Sequence, residues 1–416
     1  MPSDEHAEVA VAPNIAELDP VRTAIIDAAS VSGGLWISFV AMLFYLLVAV
    51  GSVTYVDLFL ESSVKLPILF VDLPTRGFAL IAPMMFLIAH AYLLLHFAIL
   101  SDKIAVYNRK IAAMYSDLTI QSDFRRLLPT NVFVLFLAGP IGIRDGITGL
   151  FLRVIAQFTM VFCPVLLLCF VEVQFLPYHS HFVTWSHRCA AMLDIALLWL
   201  FWPRITLREF PATLPRQRLT TARPVMWMAV VTPIVLLFVA TFPGELTDPI
   251  ARRLPGRNFL VGGDISARSL HVTAVFSNIL DLPKFDAIAQ AKLDDDEKLK
   301  RASHSIVVEG RNLRRANLKF ADLRKAHLYF SDLTDADLGS AHLADAQLDG
   351  ADLSGADLGF ADLSNTSLTD AILRGTRLDG ANLTSARLDG QAQLDLACGT
   401  TDKLPKGLTL KPCPPR

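Results

Sequence analysis

The stretch Ala316–Leu343 reads ANLKFADLRKAHLYFSDLTDADLGSAHL, and a leucine stands at every fifth residue. An α-helix repeats about every 3.6 residues and a β-strand about every 2.0, so neither explains a period of five. A fixed short period is typical of a repeat architecture. The same spacing continues on both sides of the stretch, and the sixteen leucines are Leu313, Leu318, Leu323, Leu328, Leu333, Leu338, Leu343, Leu348, Leu353, Leu358, Leu363, Leu368, Leu373, Leu378, Leu383 and Leu388.

The residue two positions before each leucine, from Ala316 to Ala386, is always small: twelve are Ala, and the others are Ser331, Thr366 and Thr376. A chain that turns through a right angle every five residues closes a square coil with four repeats. The leucine and the small residue then both point into a narrow shaft. Such coils stack at the strand spacing of about 4.8 Å, so we predict an all-β shaft with the leucines as its core.

The motif A-[DN]-L-x-x, plain in ADLSGADLGFADL at Ala351–Leu363, resembles that of the pentapeptide-repeat proteins. The resemblance covers residues 306–390 and implies a right-handed quadrilateral β-helix. It assigns no activity to the rest of the chain.

A degenerate array precedes the regular one. Leu260, Ile265, Leu270, Val275 and Leu280 also stand five apart, but the rule of a small inward residue fails at Arg268. The charged insert Asp281–Ser305 then breaks the phase. We interpret residues 243–305 as a linker, with the insert as a loop or short helix on the side or end of the shaft.

The N-terminal half is strongly apolar, in a chain of 416 residues of which 53% are hydrophobic. Five apolar segments each have about the length that a bilayer core requires, roughly 17–25 residues. We therefore predict an N-terminal tail at 1–34, an α-helical transmembrane domain at 35–242, then the β-helix and a C-terminal cap or tail at 391–416. The predicted spans lie near 35–53, 78–100, 154–176, 183–202 and 225–242.

Lysine and arginine predict the orientation of these spans, because loops rich in them stay in the cytoplasm. Ser101–Arg153 has seven and Arg204–Pro224 has five, whereas Thr54–Gly77 has two and Pro177–His187 has none. Five spans then put the N-terminus in the cytoplasm and the β-helix in the periplasm of a bacterial inner membrane. The apolar segment Val132–Ile143 has only twelve residues, which favours an interfacial or re-entrant piece; a sixth span there would reverse the C-terminal half.

Ionisable residues within the spans need a reason to be there. We expect Glu172 and Arg188 to pair near the outer ends of two neighbouring spans. Asp194 lies deeper, and His90 and His96 lie on the second span. These residues form either an ion or proton path or packing pairs, and we favour packing.

Three histidines follow the third span, at positions 179, 181 and 187. Beside Tyr178 and Trp185 they are more typical of an interfacial aromatic belt than of a metal site.

The charge of the array is graded. Six basic residues lie in Arg311–Lys325 against one acidic residue, and nine acidic residues with no Lys or Arg lie in Asp332–Asp370. The acidic part is either a solvated polar surface or an acidic docking face. The candidate residues for that face are Asp335, Asp345, Asp349 and Asp370.

The array has no nucleophile–base pair, phosphate loop or cluster of metal ligands. We therefore predict no catalysis, no cofactor and no metal, and a formal net charge of −2 argues against nucleic acid as a partner. The favoured function is a membrane-anchored scaffold that binds an unidentified protein through the β-helix. The first alternative is a transporter or channel with a β-helix appendage. The second, from family analogy, is a DNA-mimicking protein that protects gyrase, which requires a cytoplasmic and continuously acidic shaft.

The five cysteines include no CxxC pair. Cys163, Cys169 and Cys189 lie in or beside apolar spans, where we expect small buried hydrophobic side chains. Cys398 and Cys413 bracket the tail, and an oxidising compartment would permit a disulfide between them. Such a loop would hold the tail as a cap over the last coil.

Overall fold

The computed structural model describes residues 17–66, 71–140, 146–207, 279–293 and 295–414, together with Ile143 and Val231. The chain forms two compact units. The first comprises Met1–Leu47, Ile81–Phe170 and His187–Pro233, and the second comprises Val48–Leu80, Val171–Ser186 and Ile234–Arg416. The predicted fifth span at 225–242 and the degenerate leucine positions before Leu280 lie outside the described residues, apart from Val231.

Four helical segments of the described residues are long and apolar enough to cross a membrane. They are α1 at Asp19–Gly51, α3 at Thr75–Met114, a composite segment at Ile147–Tyr178 and α8 at His181–Leu207. The composite segment consists of α6 (Ile147–Gln157), a π-helical turn (Phe158–Phe162), α7 (Cys163–Phe175) and a 3₁₀ turn (Leu176–Tyr178).

These helices are longer than the predicted spans, because apolar composition marks only the part of a helix that is apolar all round. α1 begins at Asp19, so the second half of the predicted tail 1–34 is helical. α3 continues beyond Leu100 as far as Met114. Its polar end packs within the first unit, where the Lys103 ammonium donates to the Ala24 carbonyl at 3.1 Å.

Within Val132–Pro140, the continuous part of this segment that the structure describes, a short helix, α5, spans Val132–Ala138. The Asn131 side chain caps its start by accepting a hydrogen bond from the Val134 amide, and the helix ends at Gly139. Seven helical residues are too few to cross a bilayer core of about 30 Å. Other short elements are α2 (Tyr55–Leu60), α4 (Leu118–Arg126) and an antiparallel hairpin of β1 (Ser63–Lys65) and β2 (Asp72–Pro74).

The repeats form a four-sided stack in which residues twenty positions apart make parallel bridges, as Asp332 does with Asp352. Backbone groups bond between coils: the Leu353 amide donates to the Ile372 carbonyl at 2.9 Å. Fifteen of the sixteen leucines are buried, and Leu388, at the end of the array, is half-buried. The period of five therefore does place the leucines and their small partners inside the shaft.

The first coil begins earlier than the sequence predicts. Asp281 bridges to Asn317, and Asp286 bridges to Asp322, so these residues lie in the coil and not in an insert. The chain then leaves the stack through α9 (Ala287–Gln290) and α10 (Asp296–Arg301). It rejoins the stack at Val307, which bridges to His327. This excursion interrupts the five-residue spacing between two sides of one coil. The spacing in the sequence therefore did not reveal that Asp281 and Asp286 belong to the stack.

Candidate binding surface of the repeat

Three of every five residues in the array face outward: the one before the leucine and the two after it. The second residue after the leucine has a positive φ, for example 57° at Asp335 and 54° at Phe330. This left-handed conformation makes the right-angle corner, and Gly, Asn and Asp tolerate it best. With four repeats in each coil, the outward residues therefore form twelve columns along the shaft, and four of these run along the corners.

Many aspartates in the array shape the turns. The carboxylate before the leucine accepts the backbone N–H two residues later, as Asp352 does from Ser354 at 2.9 Å and Asp357 from Gly359 at 3.0 Å. Such local bonds are why Asp and Asn favour turns. Five of the nine acidic residues between Asp332 and Asp370 hold this position: Asp332, Asp337, Asp352, Asp357 and Asp362.

The other four acidic residues are the candidates for a docking face, and the coil does not bring them all together. Asp335 and Asp345 are ten residues apart, which is half of a twenty-residue coil, so they lie on opposite corners. Asp349 and Asp370 lie near each other on neighbouring coils. The Asp349 carboxylate already accepts a hydrogen bond from the Ser367 hydroxyl at 2.5 Å. The four residues therefore do not share one corner, and their role in an acidic docking face stays a prediction.

The basic residues of Arg311–Lys325, in the first coils of the shaft, mostly bind carboxylate or carbonyl groups within the second unit. Arg324 binds Asp322 at 2.7 Å, and Lys319 binds Asp337 at 2.8 Å. The Lys325 ammonium donates to the Leu299 carbonyl at 2.7 Å, at the C-terminal end of α10, where a cation is favoured. The basic patch of the sequence therefore stabilises the base of the shaft.

Exposed aromatic rings mark two corners. The rings of Phe330 and Phe360 lie over Gly350 and Gly380, in the next coil of the same column, where an added Cβ would come within 2.5 Å and 2.6 Å of the ring. Only glycine leaves room for each ring there. The two rings are 74% and 75% exposed, which makes them prominent apolar features of the shaft's surface.

A junction within the second unit ties the base of the shaft to two loops. The Arg311 guanidinium binds the Glu61 carboxylate at 2.9 Å and donates to the Leu58 carbonyl at 2.8 Å. It also lies over the Tyr178 ring at 4.7 Å, and the Tyr178 hydroxyl donates to Glu61 at 2.5 Å. These contacts involve the Thr54–Gly77 and Pro177–His187 loops, which are the two poor in lysine and arginine.

Two further contacts extend the junction. Phe59 meets Phe285 of the first coil edge to face at 5.2 Å, and a ring nitrogen of His179 lies 3.1 Å from the Asn312 carbonyl. The sequence analysis missed this role of Arg311. One signal was available: Arg311 stands two residues before Leu313, where the repeats that follow have a small residue.

The far end of the shaft is closed by the tail. After α11 (Gln391–Leu394), Cys398 bridges to Arg377 and so extends the stack beyond the predicted end at 390. Cys398 and Cys413 form a disulfide with their Cα atoms 4.7 Å apart. Of the other cysteines, Cys163 and Cys169 are partly buried, whereas Cys189 is exposed and not buried as expected.

The structure places the ionisable residues of the helices as follows. Glu172 and Arg188 are both buried but belong to different compact units, so their pairing stays a prediction. His90 and Asp194 meet in the first unit, with a ring nitrogen 2.5 Å from a carboxylate oxygen. Among the described residues, no group of three His, Cys, Asp or Glu side chains is placed to hold a metal ion.

The comparisons with known proteins concern the repeat. A model of the pentapeptide-repeat family matches eight copies, at residues 312–349, 331–370 and 361–390. No curated protein sequence matches the chain.

Three solved structures illustrate the likeness. HetL, a pentapeptide-repeat protein involved in heterocyst differentiation regulation from the cyanobacterium Nostoc sp. strain PCC 7120, is 29% identical with a TM-score of 0.19. That match covers 29% of this chain and 46% of HetL, so the chain spans about half of HetL's length. A pentapeptide-repeat protein from the Arabidopsis thaliana thylakoid lumen is 23% identical (TM-score 0.22; 33% of this chain and 88% of that one). Another from Nostoc PCC 7120 is 30% identical (TM-score 0.21; 30% and 91%).

The eight matched copies coincide with the buried columns of leucine and alanine and with the bridges between coils twenty residues apart. With its coil geometry and its sequence motif in agreement, the chain is a pentapeptide-repeat protein whose repeat region follows an N-terminal helical region.

Proposed function

We propose that this protein is a membrane-anchored scaffold that presents its β-helix on the periplasmic side for binding to another protein. The observation that carries the proposal is the difference in residue variation between the inward and outward positions of each repeat. The inward positions are nearly invariant, whereas the outward positions range from Phe360 to Asp370 and Arg374. Stacked repeats of this kind offer extended binding surfaces, and pentapeptide-repeat proteins are usually non-catalytic interaction scaffolds.

Exposed apolar side chains on the long helices support membrane anchoring. Phe44 on α1 is 68% exposed, Ile88 on α3 is 67% exposed and Leu166 on α7 is 57% exposed. Soluble proteins rarely leave such side chains in contiguous exposed patches. A lipid bilayer is the environment in which they would be buried.

The junction at Arg311 supports the periplasmic side. It holds the base of the shaft against the two loops that are poor in lysine and arginine, and such loops lie outside the cytoplasm. α8 ends on the opposite side in this topology, so one more crossing must precede the repeat. The fifth span predicted at 225–242 would supply it. The disulfide between Cys398 and Cys413 also fits an oxidising compartment.

Photo-crosslinking tests the scaffold role. A photoreactive amino acid placed at Phe330, Phe360, Thr369 or Arg374 reports on different corners and faces of the shaft. In intact cells we expect one discrete protein adduct, concentrated at one or two of these positions, and none at Arg315 near the base. The absence of an adduct at all four positions would contradict the proposal.

The transporter reading is favoured by one observation, the buried contact between His90 and Asp194. The DNA-mimic reading requires a continuous acidic surface in the cytoplasm. The opposite corners of Asp335 and Asp345 argue against such a surface, and we do not propose it.

A further inference from the structure

A fully buried pair of ionisable side chains lies in the first unit, where α3 and α8 meet. The Nδ1 atom of His90 is 2.5 Å from the Oδ1 atom of Asp194, and both side chains are 0% exposed. The two residues are 104 positions apart in the chain, so the contact is made by the tertiary fold alone. A buried charge is costly unless it is paired and hydrogen-bonded.

The third member of the cluster fixes where the protons are. The Nε2 atom of His90 lies 3.2 Å from the Met160 carbonyl oxygen. A carbonyl only accepts hydrogen bonds, so Nε2 must carry a hydrogen. One further proton then lies between Nδ1 and Oδ1. The pair is either imidazolium with carboxylate or neutral imidazole with carboxylic acid, and in both forms its net charge is zero.

The backbone around Met160 is arranged to offer that carbonyl. Met160 lies in the π-helical turn Phe158–Phe162, where the Cys163 amide donates to the Phe158 carbonyl five residues earlier. Pro164, four residues after Met160, has no N–H to donate in the ordinary helical pattern. His90 thus supplies a hydrogen bond that the proline cannot make. Single π-helical turns within α-helices frequently occur at functional sites.

The surroundings are apolar on the remaining sides. The His90 ring stacks on Phe39 of α1 at 5.0 Å and lies 6.1 Å from Phe86 of α3. Facing the pair, α1 contributes the Phe39 ring, the π-helical turn contributes the Met160 carbonyl, and α8 contributes Asp194 itself. No other charged group of the described residues makes a hydrogen bond or ion pair with either member. The Oδ2 atom of Asp194 is buried and has no hydrogen-bond partner among the described residues.

We propose that His90 and Asp194 form a reversible proton-binding site that holds one exchangeable proton between them. Release of this proton leaves the lone pair of Nδ1 facing a carboxylate oxygen at 2.5 Å. These two acceptors repel each other, so release drives α3 and α8 apart at this level. This site is independent of the binding role of the β-helix.

Infrared difference spectroscopy of the full-length protein in lipid nanodiscs tests the site. Spectra are recorded between acidic and alkaline pH for the wild type, Asp194→Asn, His90→Gln and His96→Gln. His96 is the matched control, because it lies on the same helix and its ring meets the Tyr92 ring edge to face at 4.5 Å. We expect loss of a carboxyl band in Asp194→Asn, loss of an imidazole change in His90→Gln, and retention of both in His96→Gln.

A carboxyl change that is the same in the wild type and in Asp194→Asn would overturn the proposal and leave the pair as static packing. Asp194→Glu guards against a variant that fails to fold, because it keeps the carboxyl group. It should shift the band instead of removing it. Ring ¹⁵N shifts of histidine-labelled wild-type protein provide a measurement without any variant: His90 shifts that do not move with pH would equally overturn the site.

Discussion

Each side chain of a repeat has one of two environments, and the boundary between them is sharp. Leu353 is 0% exposed, whereas the side chains of neighbouring residues reach the solvent. Ser or Thr at the small inward position uses its hydroxyl inside the shaft, as Thr366 does by donating to the Leu343 carbonyl at 2.9 Å. This satisfies the buried hydroxyl, which explains why Thr can replace Ala there.

The substitution Leu353→Ala should destabilise the local stack by about 2–5 kcal/mol, because it leaves a cavity in a closed apolar column. Leu353→Met nearly conserves the volume and should cost less than about 1.5 kcal/mol. Hydrogen exchange of the amides that link coils, measured on the full-length protein in detergent, compares the two. Equal protection in both variants would refute the assignment of this leucine to the core.

Two histidine rings, His304 and His327, lie close together at the side of the shaft. Burial lowers the pKa of His327 from its ordinary value, and the nearby His304 ring, at 4.9 Å, lowers it further against a smaller opposing effect of Glu309. His304→Gln should therefore raise the pKa of His327, as measured by NMR titration. His342→Gln, on another face, should leave it unchanged.

The sign of this shift sets a stability trend. A histidine with a lowered pKa in the folded state binds a proton better in the unfolded state. This side of the array should therefore lose stability as the pH falls from the ordinary histidine value of about 6.5 through the lowered one. Constant hydrogen-exchange protection across that range would contradict it.

The residue pattern predicted much of the core and little of the surface grouping. A five-residue period separates inward from outward residues, because that distinction repeats in every turn of the chain. Which outward residues share a face depends on the twenty-residue coil, and this is why Asp335 and Asp345 lie apart. The contact between His90 and Asp194 has no local signature, because its partners come from two helices far apart in sequence.

Among the elements, the cap is held by one covalent bond and a few polar contacts. The Gln391 side chain bonds to the Thr409 backbone at 2.9 Å in both directions, and the Gly399 amide donates to the Lys411 carbonyl at 2.7 Å. These contacts place the tail over a strand edge that would otherwise invite aggregation.

Replacement of both Cys398 and Cys413 by serine should destabilise the cap by about 3 kcal/mol, the value expected for a loop of about fifteen residues. Hydrogen exchange should speed up at the amides that bond to Leu396–Lys403 and stay unchanged in the first coils. Cys189→Ser is the control, because this free cysteine is exposed on α8. An unchanged cap would show that the tail holds without the disulfide.

The junction between Arg311 and the loop residues Leu58 and Glu61 gives a second prediction at this scale. Arg311→Gln removes the charge that binds Glu61 and the donor to the Leu58 carbonyl, and hydrogen bonds of charged groups contribute about 1.5–3 kcal/mol. We expect exchange at the amides following α2, such as Ser62, to increase by about tenfold or more, since about 1.4 kcal/mol corresponds to one factor of ten.

Arg315→Gln, four residues further along, should leave that exchange unchanged. If both variants behave alike, Arg311 does not tie the shaft to the loops.

For the whole molecule, the main prediction is the side of the membrane on which the β-helix lies. An alkaline phosphatase fused after Arg416 should be active, because it works only when exported, and a green fluorescent protein at the same place should be dark. The physical reason is the count of lysine and arginine: twelve in the two loops predicted to be cytoplasmic, against two in the other two loops. The reverse result would put the β-helix in the cytoplasm.

The boundaries of the long apolar helices were less predictable than their presence. Apolar composition located four segments that are long helices, yet it missed their polar ends, such as the stretch of α3 that reaches Met114. Those ends are helical because they pack on other elements of their unit, and such packing leaves no mark in average hydrophobicity.

The disulfide also decides how the shaft would carry a mechanical load. The hydrogen bonds between coils run along the stacking direction, so a pull on the free end stretches them in turn and would peel the coils away one by one. Cys413, in the tail, is bonded to Cys398, and Cys398 itself bridges to Arg377. A force on the tail therefore bypasses the loop between the cysteines and enters the stack at a bonded coil. In a cell, the shaft would act as a tether that resists unravelling from its tip for as long as that one bond stays oxidised.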